Sequence, residues 1–517
     1  MIFKGKIRLL TLASAFFATC CWGLHVPEDR WIVQFKADRG NVVREYAKPS
    51  ELIRVLQSEL NNNLQNASLD ERSEGMVKLW AARAVAINAN HEQIEAIKKL
   101  ENVSGVHKVV PIKYNLQKPR SDNTEVSREF PSWGVVHVRA PEVWEKFKID
   151  GSGILVGHVD TGAAGSHELF AGKILKFWDL NPNDGSVASP VDGSKATDEN
   201  MHGSHTAGTI CAGGNIGVAP GARLMVAKVF DGMEMSTHEI FLRAYQWMLD
   251  PDGNPDTNDF PRIVSVSLGG KSYGGTDSDE NLYYDVVNNW VAAGILPVFA
   301  AGNGGPMPQK IDYCACFLQS WAVGGLKSNN SIALFSSPGP ATWNGVTYIK
   351  PDICAPGKDI ISVRPNGGTY KMDGTSAATP HAAGVAALVL QANPTLKPAE
   401  VRDLIESCAL DLGSSGKDNR YGAGLIDAYK SVEKAIKQAS AENVVDGYRR
   451  ALETESALGT TVNSPLAAPM ASYLLEKANA LDSGEMISLE NEYRNDENVR
   501  KILKNADSMR KFNQYQN

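Results

Sequence analysis

The sequence has little cysteine. Only seven of its 517 residues are cysteine, and Cys20 and Cys21 lie close to the N-terminus. The other five are Cys211, Cys314, Cys316, Cys354 and Cys408, an odd number, so one is free or pairs outside the chain. A fold built on disulfides is excluded. Cys314 and Cys316 are too close for a routine bridge, and they read as small buried hydrophobes rather than as a metal or redox pair. Basic charge is not in excess either. The 52 Lys and Arg face 59 Asp and Glu, giving a net charge of −7 and no support for binding nucleic acid or another polyanion. Beyond residue 22 no stretch reads as a membrane span.

What is present begins with export. Lys4, Lys6 and Arg8 precede an apolar run from Leu9 to Trp22, too short to cross a bilayer comfortably but ordered like a secretory signal. Residues 1–23 are therefore expected to be a signal peptide. The Phe17–Cys20 segment resembles a poor lipoprotein signal, which would leave a lipid anchor at Cys20. The expected location is secreted, periplasmic or at the cell surface.

Three further units follow. Residues 24–120 read as strand, helix, strand, helix, strand, with strands at 31–36, 83–87 and 106–110. A polar segment, 118–128, looks like a linker and a cleavage zone. Residues 121–440 alternate apolar runs (154–159, 223–229, 263–268, 295–300, 321–324) with helical patterns at 237–249, 281–293 and 377–391. This predicts an α/β fold, a mostly parallel sheet with helices on both faces, preceded by the small α+β unit. Residues 441–517 are charged and helix-favouring. Met470, Leu474, Ala478 and Leu481 fall at helical spacing, which predicts one short amphipathic helix in a tail that is otherwise a small helical appendage or partly disordered.

Three segments carry chemistry: Gly157–Gly162 with Asp160, Asn200–Thr209 with His202, and Asp373–His381 with Ser376. Acyl transfer needs an activated hydroxyl, a base to take its proton and an acid to orient that base. Ser376, His202 and Asp160 are candidates for these roles in that order. Singly, each has a plainer reading. Asp160 suits a turn or cap, His202 a satisfied buried position, and Ser376 an ordinary helix N-cap. His202 and His205 are three apart, but no Glu between them makes a zinc-protease pattern.

Taken together, these segments resemble the subtilisin-like serine proteases, the subtilase family. The order Asp, His, Ser is that family's. So are VDTG at 159–162, HGSHTAG at 202–208, SLGG at 267–270, AAGNGG at 300–305, KPDICAPG at 350–357 and GTSAATPHAAG at 374–384. The resemblance covers roughly 130 to 435. It implies a serine endopeptidase working through an acyl-enzyme on protein or peptide substrates, with no cofactor required for the chemistry. It also implies that Asn303 donates to the developing oxyanion. Ser267, Leu268, Gly269 and Gly270 would line the substrate strand, and Ala301 and Gly302 the pocket for the residue before the cut. The segment 311–314 would form that pocket's floor, which would place Asp312 inside it and favour Lys or Arg; the alternative leaves Asp312 facing solvent or capping the loop.

The resemblance extends, more loosely, to an inhibitory propeptide in residues 24–120, the other reading being an unrelated adaptor domain. It also has departures: Ala377 stands where many relatives have Met, and Glu168 where Pro is common. Structural calcium is common in the family. The run from Asp250 to Asp259 starts like a calcium loop, with Asp252, Asn254 and Asp256 correctly spaced. The pattern then fails at Thr257 and Ile263, so an insertion loop with hydrated charges is the equal alternative.

Overall fold

The computed structural model describes residues 26–37, 48–70, 73–114, 116, 131–180, 189–269, 281–458 and 466–516. The expected signal peptide with Cys20, the linker 118–128 and Gly270 lie outside these residues.

An eight-stranded sheet organises the chain. Its spatial order is Ile353–Pro356, Trp321–Leu326, Leu296–Ala300, Ile263–Val266, Leu155–Asp160, Arg223–Lys228, Ile174–Asp179, Val191–Asp192. Seven strands run parallel, and the edge strand Val191–Asp192 is antiparallel to its neighbour. Parallel strands covered on both faces need continuous apolar runs. Leu155–Asp160 and Leu296–Ala300 are accordingly buried at every position. The chain builds one side of Leu155–Asp160 first and then crosses to Ile263–Val266 on the other. Crevices at the carboxyl ends of such strands, where the order switches, are where α/β folds hold ligands.

Two helices complete the part that positions the site. Thr375–Ala392 is buried along its whole length, as a helix without a polar face must be. It packs on the sheet and against His202–Cys211, itself buried throughout.

A second sheet, of four antiparallel strands, lies in the N-terminal part. Its order is Val77–Leu79, Ala84–Asn88, Arg30–Phe35, Val103–Lys108, accompanied by helices Pro49–Asn66 and His91–Ile97. The alternation read from sequence holds, with Val77–Leu79 added. This unit docks on helices His238–Trp247 and Asn281–Ala292. Arg30 makes two bonds to Glu239 (2.8 and 2.7 Å), Arg83 pairs with Asp285 (2.6 Å), and Asn289 donates to the carbonyl of Ala81 (2.8 Å).

The C-terminal stretch differs from the single helix expected. Four helices, Ala441–Leu458, Ala467–Asn479, Ser483–Glu492 and Glu497–Gln516, occupy it. The anticipated face is present: Met470, Leu474 and Ala478 are buried, and Leu481 packs beside them. Its cover comes from the eight-stranded sheet's part of the chain as well as from neighbouring helices. The Tyr473 hydroxyl donates to Ala392 O (3.2 Å), and a Cβ on Gly153, at φ +84°, would fall 2.1 Å from Met470 Cγ. No disulfide joins the five cysteines among the described residues, and Cys211, Cys314 and Cys354 are buried.

Candidate active site

Asp160 ends the central strand, and His202 opens the helix behind it. His202 Nδ1 lies 2.7 Å from Asp160 Oδ1, and the two side chains are 1% and 0% exposed. Burial opposes charge on both. The mutual attraction and the hydrogen bond win, so Asp160 titrates below the usual carboxylate range and His202 above the usual imidazole value.

Close backbone approach makes this contact geometrically feasible. Gly162 has φ +113°, and a Cβ there would meet Thr197 O at 2.0 Å. A Cβ on Gly203 would meet Gly162 O at 2.2 Å. Asp198 secures the helix start. Its carboxylate accepts the backbone N–H groups of Asn200 (3.0 Å), Met201 (3.0 Å) and Ser204 (2.7 Å), and the Thr161 hydroxyl (2.9 Å). Sequence reading missed Asp198, although an Asp shortly before a helical run is an N-terminal signal.

Ser376 is the second residue of Thr375–Ala392, and the N-cap is Gly374 at φ +146°. The N-cap alternative for Ser376 is therefore set aside. Its neighbour Ala377 packs in a small apolar cluster that also touches Met201, the neighbour of His202. Tyr370 ties the two helix starts together, with its hydroxyl donating to Met201 O (2.7 Å) and its ring 4.9 Å from that of His205.

Asn303 follows the strand Leu296–Ala300. Its Oδ1 accepts both the backbone N–H (2.9 Å) and the hydroxyl (3.1 Å) of Thr375, whose Oγ1 in turn accepts from Gly302 N (3.1 Å). With the carboxamide oxygen so engaged, the NH2 is the end left to donate. Thr375 had no role in the sequence reading.

Asp312 lies between two glycines of the expected pocket wall. A Cβ on Gly269 would come 2.5 Å from Asp312 Oδ2, and one on Gly302 would come 2.4 Å from its Cγ. Ala301 O accepts the Asp312 N–H (2.9 Å), which fixes the segment to that wall. The carboxyl is partly buried, and burial pushes its pKa up to about 7. Ser267 and Leu268, on the same wall, are buried.

The two histidines have separate partners: His202 faces Asp160, whereas His205 Nε2 lies 2.8 Å from Ile360 O, and burial lowers the His205 pKa to about 3. The loop from Asp250 to Asp259 is held by its own hydrogen bonds: Asp252 accepts from Asn254 N (2.8 Å), and Asn254 accepts from Asp256 N (3.2 Å). Asp256 pairs with Arg54 of the N-terminal unit, and Asp259 is buried rather than hydrated. Among the described residues no three His, Cys, Asp or Glu side chains converge to hold a metal ion.

Comparison with known proteins places the chain in a family. Residues 151–424 match the subtilase family model. The alkaline protease of Alkalihalobacillus alcalophilus is 35% identical over 437 residues, covering 82% of this chain and 97% of that protein. Subtilisin E of Bacillus subtilis is 34% identical over 308 residues, 58% of this chain and 71% of that protein. Bacillopeptidase F of the same species is 32% identical over 438 residues; these cover 75% of this chain but only 29% of that longer protein. A family model spanning just over half of the chain, together with 35% identity along almost all of one relative, shows that the chain belongs to the subtilase family and is by class a serine-type endopeptidase.

Proposed function

We propose that the chain cleaves internal peptide bonds of protein substrates through an acyl-enzyme on Ser376, and that it is made as a self-processing precursor. The observation that carries the reading is the buried 2.7 Å bond between Asp160 and His202, the latter opening a helix that packs against the helix bearing Ser376. In this reading His202 Nε2 takes the Ser376 proton as the hydroxyl attacks, then returns it to the leaving amine. Asp160 holds the proton on Nδ1 and stabilises the imidazolium. The Asn303 NH2 and the Ser376 backbone N–H donate to the oxyanion.

The N-terminal unit fits an inhibitory propeptide. Its strand Ile112–Lys113 pairs antiparallel with Met235–Ser236, and Tyr114 N donates to Glu234 O (3.0 Å). The Tyr114 ring enters a cavity lined also by Phe241, Leu268, Gly269 and Tyr313. The unit's own chain thus lies against the wall proposed for substrate, leading toward the polar segment 118–128. The basic and apolar start of the chain supports export, with a lipid anchor at Cys20 as one form of it. The test is to label the purified full chain with a fluorophosphonate, map the adduct and sequence the N-terminus. An adduct on Ser376, and a mature chain beginning near 118–128, are expected. An active protein labelled elsewhere would sink the assignment.

Asp312 gives this reading a preference for Lys or Arg before the cut. A basic side chain would supply the cation that this carboxylate lacks. The Lys-to-Leu ratio of kcat/KM, for two peptides differing only there, is expected to fall about 30-fold in Asp312→Ala, the equivalent of about 2 kcal/mol for losing one partner of a desolvated pair. In the wild type the ratio should rise with pH through about 7, where the carboxyl ionises. Titration of His202 affects both substrates alike and cancels. A ratio that is flat with pH and unchanged in the variant would place Asp312 outside the pocket.

A further inference from the structure

Asp160 uses its two oxygens differently. Oδ1 accepts from His202 and from Thr161 N, both at 2.7 Å. Oδ2 accepts the Thr206 hydroxyl at 3.0 Å. Thr206 Oγ1 in turn lies 2.9 Å from His158 Nε2, and both residues are fully buried. The arrangement follows from the two periodicities. His158 and Asp160 are two apart on one strand and share a face, while His202 and Thr206 are four apart on one helix and share another. The two pairs meet face to face.

We infer that His158 and Thr206 are positioning residues for the proposed reaction: a relay of hydrogen bonds that fixes the second oxygen of Asp160 and tempers its pull on His202. The inference rests on the reading of Asp160 and His202 given above. The directions of the bonds follow from proton counting. Thr206 has one hydroxyl proton and three oxygen acceptors in reach: Asp160 Oδ2, Gly203 O at 3.1 Å and His202 O at 3.3 Å. The carboxylate is the strongest of them and takes it. Nε2 of His158 must then carry a hydrogen and donate to Thr206. His158 is neutral, because burial lowers its pKa to about 4, so its Nδ1 bears none. Nδ1 is indeed a buried atom without a partner among the described residues, as an unprotonated acceptor can be at modest cost. The relay therefore runs from His158 N–H through Thr206 O–H to the Asp160 carboxylate. It disperses charge that would otherwise bear on the His202 proton. Other groups facing this pair are Asp198 and Glu234, which also raise His202, together with His205 and Tyr370. None of these changes in the variants below.

The test is the pH profile of kcat/KM. Thr206→Val removes the donor. Its kcat is expected to fall about tenfold with KM unchanged, since neither residue touches substrate. The acid limb should move to higher pH, because a carboxylate with one donor fewer holds the imidazole proton more tightly. Thr206→Ser restores the donor and should restore the wild-type limb. His158→Leu should move the limb in the same direction but less. The double variant should match Thr206→Val alone, because His158 acts only through Thr206. If Thr206→Val does not fold, the shift in His158→Leu decides the matter. An unmoved limb in a folded variant, or additive effects in the double variant, would overturn the relay. Asp160→Asn separates the two readings: if it abolishes activity while Thr206→Val leaves the limb in place, the relay alone is wrong.

Discussion

Ser376→Ala is expected to lower kcat by about a million-fold, the loss seen when the nucleophile of such a triad is removed. The loss should be chemical rather than structural. Ser376 is the second helical residue, and the N-cap position belongs to Gly374. Alanine is the better helix former, so the helix is not weakened. The pocket it leaves is small, because Ser and Ala differ by one oxygen atom. The variant should keep its unfolding midpoint, lose fluorophosphonate labelling and retain the N-terminal unit, which Arg30–Glu239 and Arg83–Asp285 would continue to hold. Residual hydrolysis above the uncatalysed rate is expected, because Asn303 and the substrate wall remain. Substantial activity in a purified Ser376→Ala protein would overturn the acyl-enzyme. Normal processing in that variant would instead assign maturation to another protease.

The central strands were legible because a parallel sheet covered on both faces demands largely apolar runs; Leu296–Ala300 supplies one, and Leu155–Asp160 another, broken only by Gly157, His158 and Asp160. The edge was less so. Ile174–Asp179 lies toward the sheet's margin, with Lys176, Trp178 and Asp179 partly exposed, and it reads as an irregular mixture. The C-terminal helices hid for a related reason. Glu497–Gln516 is rich in Lys, Asn and Arg, and the apolar residues it buries among those described, Val499, Leu503 and Ala506, are too sparse to stand out. At the proposed site, short motifs pointed to Asp160, His202, Asn303 and Ser376, because glycines and strand ends leave a local trace. Thr375, His158 and Thr206 leave none, and Asp198 leaves only the general mark of an acidic residue shortly before a helical run. A threonine that orients an asparagine 72 residues away is visible only once the chain has folded. Asp312 stands between the two cases: spacing located its segment, but its place between Gly269 and Gly302 depends on two strands coming together.

Asp160→Asn is expected to cost about ten-thousand-fold in kcat, and the structure constrains how. An asparagine could turn its NH2 toward His202 and force the wrong tautomer, with the proton on Nε2 and no base for Ser376. Thr161 N opposes that orientation, because it donates to Oδ1 at 2.7 Å and would face a second donor. On the other side Thr206 can accept from an NH2 by turning its own proton to Gly203 O, 3.1 Å away. The carbonyl of the asparagine should therefore stay on His202 and keep the right tautomer. What is lost is the negative charge that stabilises the imidazolium in the transition state. The pH profile distinguishes this from a flipped amide. Burial alone lowers a histidine here, as it does for His158 and His205, and it is the charge of Asp160 that lifts His202 above its ordinary value. Without that charge the acid limb of kcat/KM should move to lower pH, opposite in sign to the shift expected from Thr206→Val. A loss of less than tenfold, or an acid limb that stays in place, would show that the charge of Asp160 does not govern His202.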